Sequence, residues 1–162
     1  MAFDAFLKID GIPGESTDDK HKDWIEVLSY SWGVSQSASR SASTSGGASS
    51  ERADFQDFSI VKALDKASAK VALACAQGKH LKEVTLELCR AGGDKLKYME
   101  YKLSEAIVSS DSVGGGGGGE PTESVTFNYG KIEWTYTQQK RADGSGGGQV
   151  AANWDLTANK GS

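Results

Sequence analysis

Along most of the chain apolar and polar residues alternate with a period of two, the signature of half-buried β-strands. Phe3, Ala5, Leu7 and Ile9 alternate with Asp4, Lys8 and Asp10, which predicts a first strand with one apolar face. A polar stretch, "GIPGESTDDKHKD", follows as a loop. In "WIEVLSYSWGV" the residues Trp24, Leu28, Tyr30, Trp32 and Val34 share one register and Ile25 and Val27 the other, so this strand is expected to be covered on both faces at one end. About twenty small polar residues then interrupt it before "FQDFSIV" resumes as strand from Phe55 to Val61. Between Leu64 and Gly78 the period changes: Leu64, Ala67, Val71, Ala74 and Cys75 fall at helical spacing, with Asp65 or Ser68 as N-cap and Gly78 as the stop. Strands return in "KEVTLELCRA", in "KLKYMEYKLSEAIVSS" after the turn at 91–94, and in "ESVTFNYGKIEWTYTQQ" after six glycines at 114–119. Within that last run the apolar parity switches across Gly130, which suggests a β-bulge there. A final strand runs around Val150 to Leu156. Seven or so antiparallel strands with one short flanking helix predict a mainly β fold, a β-barrel of two rolled sheets.

Composition narrows the function classes. At 162 residues the chain is expected to form a single domain, 1–162, large enough for a core, and its 4 Trp, 5 Tyr and 5 Phe sit in the strand-like runs. A net charge of −4 provides no electrostatic footprint for nucleic acid or anionic membrane. No apolar run reaches the length of a membrane span, and "MAFDAFLKID" lacks a basic leader segment, so synthesis in the cytoplasm without a cleaved signal peptide is expected. In that setting Cys75 and Cys89 are expected to be reduced, semi-buried thiols.

Candidate chemistry is sparse. Gly78-Lys79 is no phosphate loop, because Leu73 and His80 stand where Gly and Ser or Thr are needed and the glycine ends a helix. His21 and His80 are the only imidazoles, both in lysine-flanked loops, and no G-x-S-x-G elbow supplies a serine. Cys75, His80 and Cys89 do not match zinc spacing, and Asp18-Asp19 read as a solvated turn. No catalytic, cofactor-binding or metal residue is assigned. What the chain invests in instead is a long Ser/Gly/Ala excursion at 35–54. Ordering one backbone residue costs about 1–2 kcal/mol, so this loop either stays mobile or is ordered by something outside the domain.

"GEST" at 14–17, His21, "IEVLSYSWGVSQS" at 25–37, "FSIVKALDKAS" at 58–68, "CAQGKH" at 75–80 and "TLELCRAGG" at 85–93 resemble the Hcp family, the haemolysin co-regulated proteins of bacterial type VI secretion systems. The resemblance runs in order over nearly the whole chain. It implies a ring-forming β-barrel, a homohexamer whose rings stack into the inner tube of a contractile injection machine. It implies partners in the spike protein, the sheath and small effectors carried and chaperoned in the lumen, and export to the medium or a target cell. The loop would then meet the next ring, with Ser37, Ser39, Arg40, Ser43 and Ser45 as stacking or neighbour contacts and Arg40 as the charged anchor. Ser109, Ser110 and Ser112, at the end of the long strand, are candidates for lumen or effector contact. The loop at 38–50 is unusually Ser-rich, so stacking geometry does not carry over, and a member without a fused C-terminal toxin domain is expected. Two other classes compete: a monomeric β-sandwich binding module, for carbohydrate, with Trp24, Trp32, Trp134 and Trp154 as stacking platforms, and a small enzyme dependent on His21 or His80.

Overall fold

The computed structural model describes residues 3–36, 52–92, 96–139 and 146–162. Among them are eleven strands and one helix: β1 Phe3–Ile9, β2 Ile25–Val27, β3 Ser29–Ser31, β4 Val34–Ser35, β5 Asp54–Phe55, β6 Phe58–Ala63, α1 Ser68–Gln77, β7 Leu81–Arg90, β8 Lys97–Gly114, β9 Thr122–Gln139, β10 Gly146–Asp155 and β11 Lys160–Gly161. Every pairing is antiparallel. The path β9–β8–β7–β1–β2 continues through Leu28, whose N–H donates to Val61 O at 2.8 Å, into β3, and β3 pairs with β6, which returns to β9. The sheet therefore closes into a barrel, which satisfies its edges internally. Beyond it, β8 and β9 extend as a ribbon that β10 and β11 widen, while β4 and β5 form a separate short pair.

Alternation produces the core. Leu7, Ile25, Phe58, Ile60, Leu86, Leu103, Phe127 and Ile132 are all fully buried, and each such side chain contributes about 1.5–3 kcal/mol. The helix is shorter than the spacing predicts: it begins at Ser68, Ala67 is its N-cap without a side-chain bond, and Leu64 lies outside it, exposed. Asp65 and Ser68 instead bond within the preceding turn, Asp65 Oδ1 accepting from Ala67 N–H and Ser68 Oγ from Asp65 N–H. Gly78 ends the helix as expected, in a left-handed conformation at φ 59°. Ala67, Val71 and Ala74 seat it against the barrel.

Three local expectations are corrected. The strand predicted across 24–34 breaks into β2, β3 and β4, and Leu28 and Val34 are exposed rather than facing the core with Tyr30 and Trp32. The parity switch at Gly130 involves no inserted residue: Ser104 still pairs with Lys131 and Ala106 with Tyr129. Opposite Gly130 stands Glu105 with φ 52°, and β8 switches from Leu103 to Ala106 just as β9 switches from Tyr129 to Ile132. Both strands kink together, so register survives. At that point β9 exchanges β6 for β10 as its second neighbour. The register shift lies instead on β8, between Val108 and Ser110.

Candidate functional site

The loop between β1 and β2 carries His21 inward, not to solvent: the residue is 3% exposed. Its ring lies flat on Phe6 at 4.2 Å and edge-on to Trp24 at 4.8 Å. Asp18 Oδ2 accepts from Nδ1 at 2.7 Å, and Nε2 faces Glu87 Oε1 at 3.4 Å and Cys89 Sγ at 3.9 Å. Asp18 is thus a partner of His21, not a solvated turn residue. Cysteine, histidine and aspartate in this order have the composition of a nucleophilic triad. The chemistry is wrong, because burial first, then the charges of Glu87, Asp18 and Asp4, push the Cys89 thiol up to about 11 against the pull of Lys97. A fully buried thiol held protonated attacks nothing. The cluster pins the loop to β7. His80 is exposed and apart from it, and both cysteines are free.

The tryptophans are not open platforms either. Trp32, Trp134 and Trp154 are half-buried and pack with Phe55 and Tyr101 where the ribbon leaves the barrel. Trp32 Nε1–H donates to Tyr129 Oη at 2.6 Å, and Tyr129 in turn donates to Gln56 O at 2.7 Å.

On the outer face of the closed sheet the register assembles hydroxyls. One cross-strand row runs Ser31, Ser59, Thr126, Ser110 over β3, β6, β9 and β8; the next runs Ser29, Val61, Ser124, Ser112. Their neighbours along each strand, Phe58, Ile60, Val125 and Phe127, point into the core, so these residues point out. The shift at Ser109 puts two serines over one partner: Ser109 Oγ lies 2.7 Å and Ser110 Oγ 2.6 Å from Thr126 Oγ1. Asp57 closes the edge, accepting from Ser109 at 2.7 Å and from Asn128 at 3.0 Å. The structure therefore brings Ser109, Ser110 and Ser112 together on one surface. Sequence reading missed Ser29, Ser31, Ser59, Ser124 and Thr126, whose signal was their parity, opposite to the buried positions in "SYS", "FSIV" and "ESVTF". Ser37, Ser39, Arg40, Ser43 and Ser45 lie outside the described residues.

Beneath the same strands lies a buried ion cluster. Lys62, 1% exposed, donates to Asp65 Oδ1 at 2.9 Å, Glu123 Oε2 at 2.9 Å and Ser68 Oγ at 3.1 Å. Ser68 donates to Glu123 Oε2 at 2.7 Å. Burial pushes the Glu123 carboxyl up, but hydrogen bonds from Ser68 and Lys62, the neighbouring Asp111 carboxyl and the Lys62 charge outweigh it and hold the group below the usual glutamate value. Asp111 is driven the other way, up to about 6, by burial and then by the Glu123 carboxylate beside it, with Lys62 opposing.

A closed antiparallel barrel with a broad polar outer face, a buried ionic tie and an inert histidine cluster has the architecture of a structural protein. The family model described as type VI secretion system effector, Hcp, matches residues 6–136, and the chain belongs to that family. It is 39% identical over 161 residues to protein hcp1 of Pseudomonas aeruginosa, covering 98% of each chain. Among solved structures it is similar to a type six secretion system protein, at 37% identity and TM-score 0.93 over 99% of this chain and 100% of that one. It is also similar to Hcp1 from Salmonella typhimurium, at 35% identity and TM-score 0.83 over the whole of both chains. Members of the family are secreted tube components of type VI secretion and are not enzymes.

Proposed function

We propose that the whole chain, residues 1–162, acts as one tube subunit: six copies close into a ring, and rings stack into the inner tube that a contractile sheath expels with a spike protein at its tip. The hydroxyl face is the lumen wall in this reading, and residues 37–45 reach the neighbouring ring, Arg40 being their one charge. Export then follows from assembly. The observation that carries the reading is the pair of hydroxyl rows across β3, β6, β9 and β8. They form a broad surface with Asp57 as the charge at its edge, suited to many weak, exchangeable hydrogen bonds with folded cargo rather than to one tight ligand. Among the described residues no helix is long and apolar enough to cross a membrane.

The test is the solution mass by light scattering with negative-stain images of the same sample. A mass near six chains of 17.1 kDa, with ring-shaped particles, is expected. A clean monomer at high concentration would overturn the ring. Deleting residues 38–50 is expected to leave the barrel folded and impair tube function; unaltered secretion by that variant would remove the loop from stacking.

A further inference from the structure

The ion cluster has an unbalanced inventory of donors. Lys62 has three N–H groups, and they are spent on Asp65, Glu123 and Ser68. Ser68 has one O–H, spent on Glu123 Oε2, and its own oxygen accepts from Lys62 and from Asp65 N–H. Three carboxyl groups, Asp65, Asp111 and Glu123, thus surround one ammonium. Two of their oxygens, Asp111 Oδ1 and Glu123 Oε1, are buried with no donor. Buried oxygens without a donor are rare in folded proteins because each costs its desolvation free energy. The register explains why these two carboxyls are neighbours: Asp111 pairs with Val125 and Val113 with Glu123, which makes Asp111 and Glu123 diagonal partners on the inner side of the β8–β9 hairpin.

We propose that Asp111 and Glu123 share one proton, carried by Asp111, and that this proton ties the β8–β9 hairpin to β6 and the start of α1. A proton on Asp111 supplies the missing donor and leaves one net negative charge fewer around Lys62. Without it, two facing carboxylates repel across the hairpin that carries Ser110 and Ser112 on its outer side. The groups facing the pair are Lys62 from β6, Asp65 from the turn before α1 and Ser68 from α1; Lys66 and Lys70 are exposed. The folded-state pKa of Asp111, about 6, lies above the ordinary value of 3.8, so the stabilisation from this proton is complete below that ordinary value and is lost as pH rises through about 6.

Infrared difference spectra between pH 5 and pH 8 test this on the intact assembly. A carboxylic-acid carbonyl band is expected at pH 5, lost with a midpoint near 6, shifted in protein made with isotope-labelled aspartate and missing in Asp111→Asn. In parallel, the melting temperature of the wild type is expected to fall relative to Asp111→Asn between pH 5 and pH 8, since the amide supplies the donor at every pH. A band unmoved by the aspartate label, or melting profiles that run parallel across this range, would overturn the proposal. The labelled wild type decides the matter even where the variant folds poorly. The outcome is independent of ring size, which the mass measurement decides by itself.

Discussion

Two residues illustrate how an environment sets a side chain's role. Lys62 is an ordinary surface residue type placed where almost no water reaches it, and it is retained by Asp65, Glu123 and Ser68. Removing one partner of a buried pair strands the other's charge at about 3–5 kcal/mol. Lys62→Met is therefore expected to lose stability of that order at pH 8, and less at pH 5, where Asp111 is protonated and one carboxylate fewer faces the gap; urea denaturation at the two pH values checks both statements. Cys89 is the converse case, a reactive residue type made inert. With its thiol held up to about 11 and its surface fully covered, it is expected to resist iodoacetamide at pH 8 until the protein unfolds, when it alkylates as an ordinary thiol. Mass spectrometry of the labelled native protein reads this directly, and rapid native alkylation of Cys89 would refute the placement of His21 and its neighbours. Sequence alone left His21 in a polar loop because its flanks, Lys20 and Lys22, are polar; the rings that bury it are Phe6, on β1, and Trp24, where the loop folds back before β2.

Among the elements, the β8–β9 hairpin decides most of the architecture. Its shared kink at Glu105 and Gly130 lets both strands change which parity faces inward without losing a pairing. A side chain at Gly130 would meet Glu105 Cβ at 3.3 Å, whereas glycine at 105 would relieve a left-handed conformation that side chains resist. Gly130→Val is accordingly expected to destabilise by about 1–3 kcal/mol, and Glu105→Gly to be neutral or stabilising by under about 1 kcal/mol, as thermal unfolding would show. The parity change was legible in "TFNYGKIEW", but its cause was not: one strand's pattern cannot reveal a kink that its partner shares. The helix boundary was misread for a related reason. Leu64 fits helical spacing, yet Asp65 and Ser68 satisfy their hydrogen bonds in the turn before α1.

For the whole molecule, closure of the sheet matters more than any single site. Strands from separate stretches of the chain, β3, β6 and the β8–β9 hairpin, contribute hydroxyls to one surface because the barrel fixes their register. Ser110 and Ser112 replaced together by Gln are expected to leave barrel and ring intact, since both are exposed and their neighbours carry the core, while cargo retention falls at least several-fold. Co-purification of a secreted effector with the variant ring, beside its solution mass, measures the two separately. Unchanged retention would take these serines out of the lumen wall, and loss of the ring would make them structural.

The sequence by itself determined the mainly β class, a helix with its glycine stop, the course of the longer strands and membership of a secreted tube family. Those features are written in local periodicity, in turn residues and in motifs that keep their order along the chain. Tertiary structure alone decided that Ser109, Ser110 and Ser112 join Ser29, Ser31, Ser59, Ser124 and Thr126 on one face. It also decided that His21 is buried and that Asp111, Glu123 and Lys62 form one ion cluster. The physical reason is that register, closure and burial depend on partners tens of residues away, and a strand's own alternation states only that it has two faces, not what lies against either.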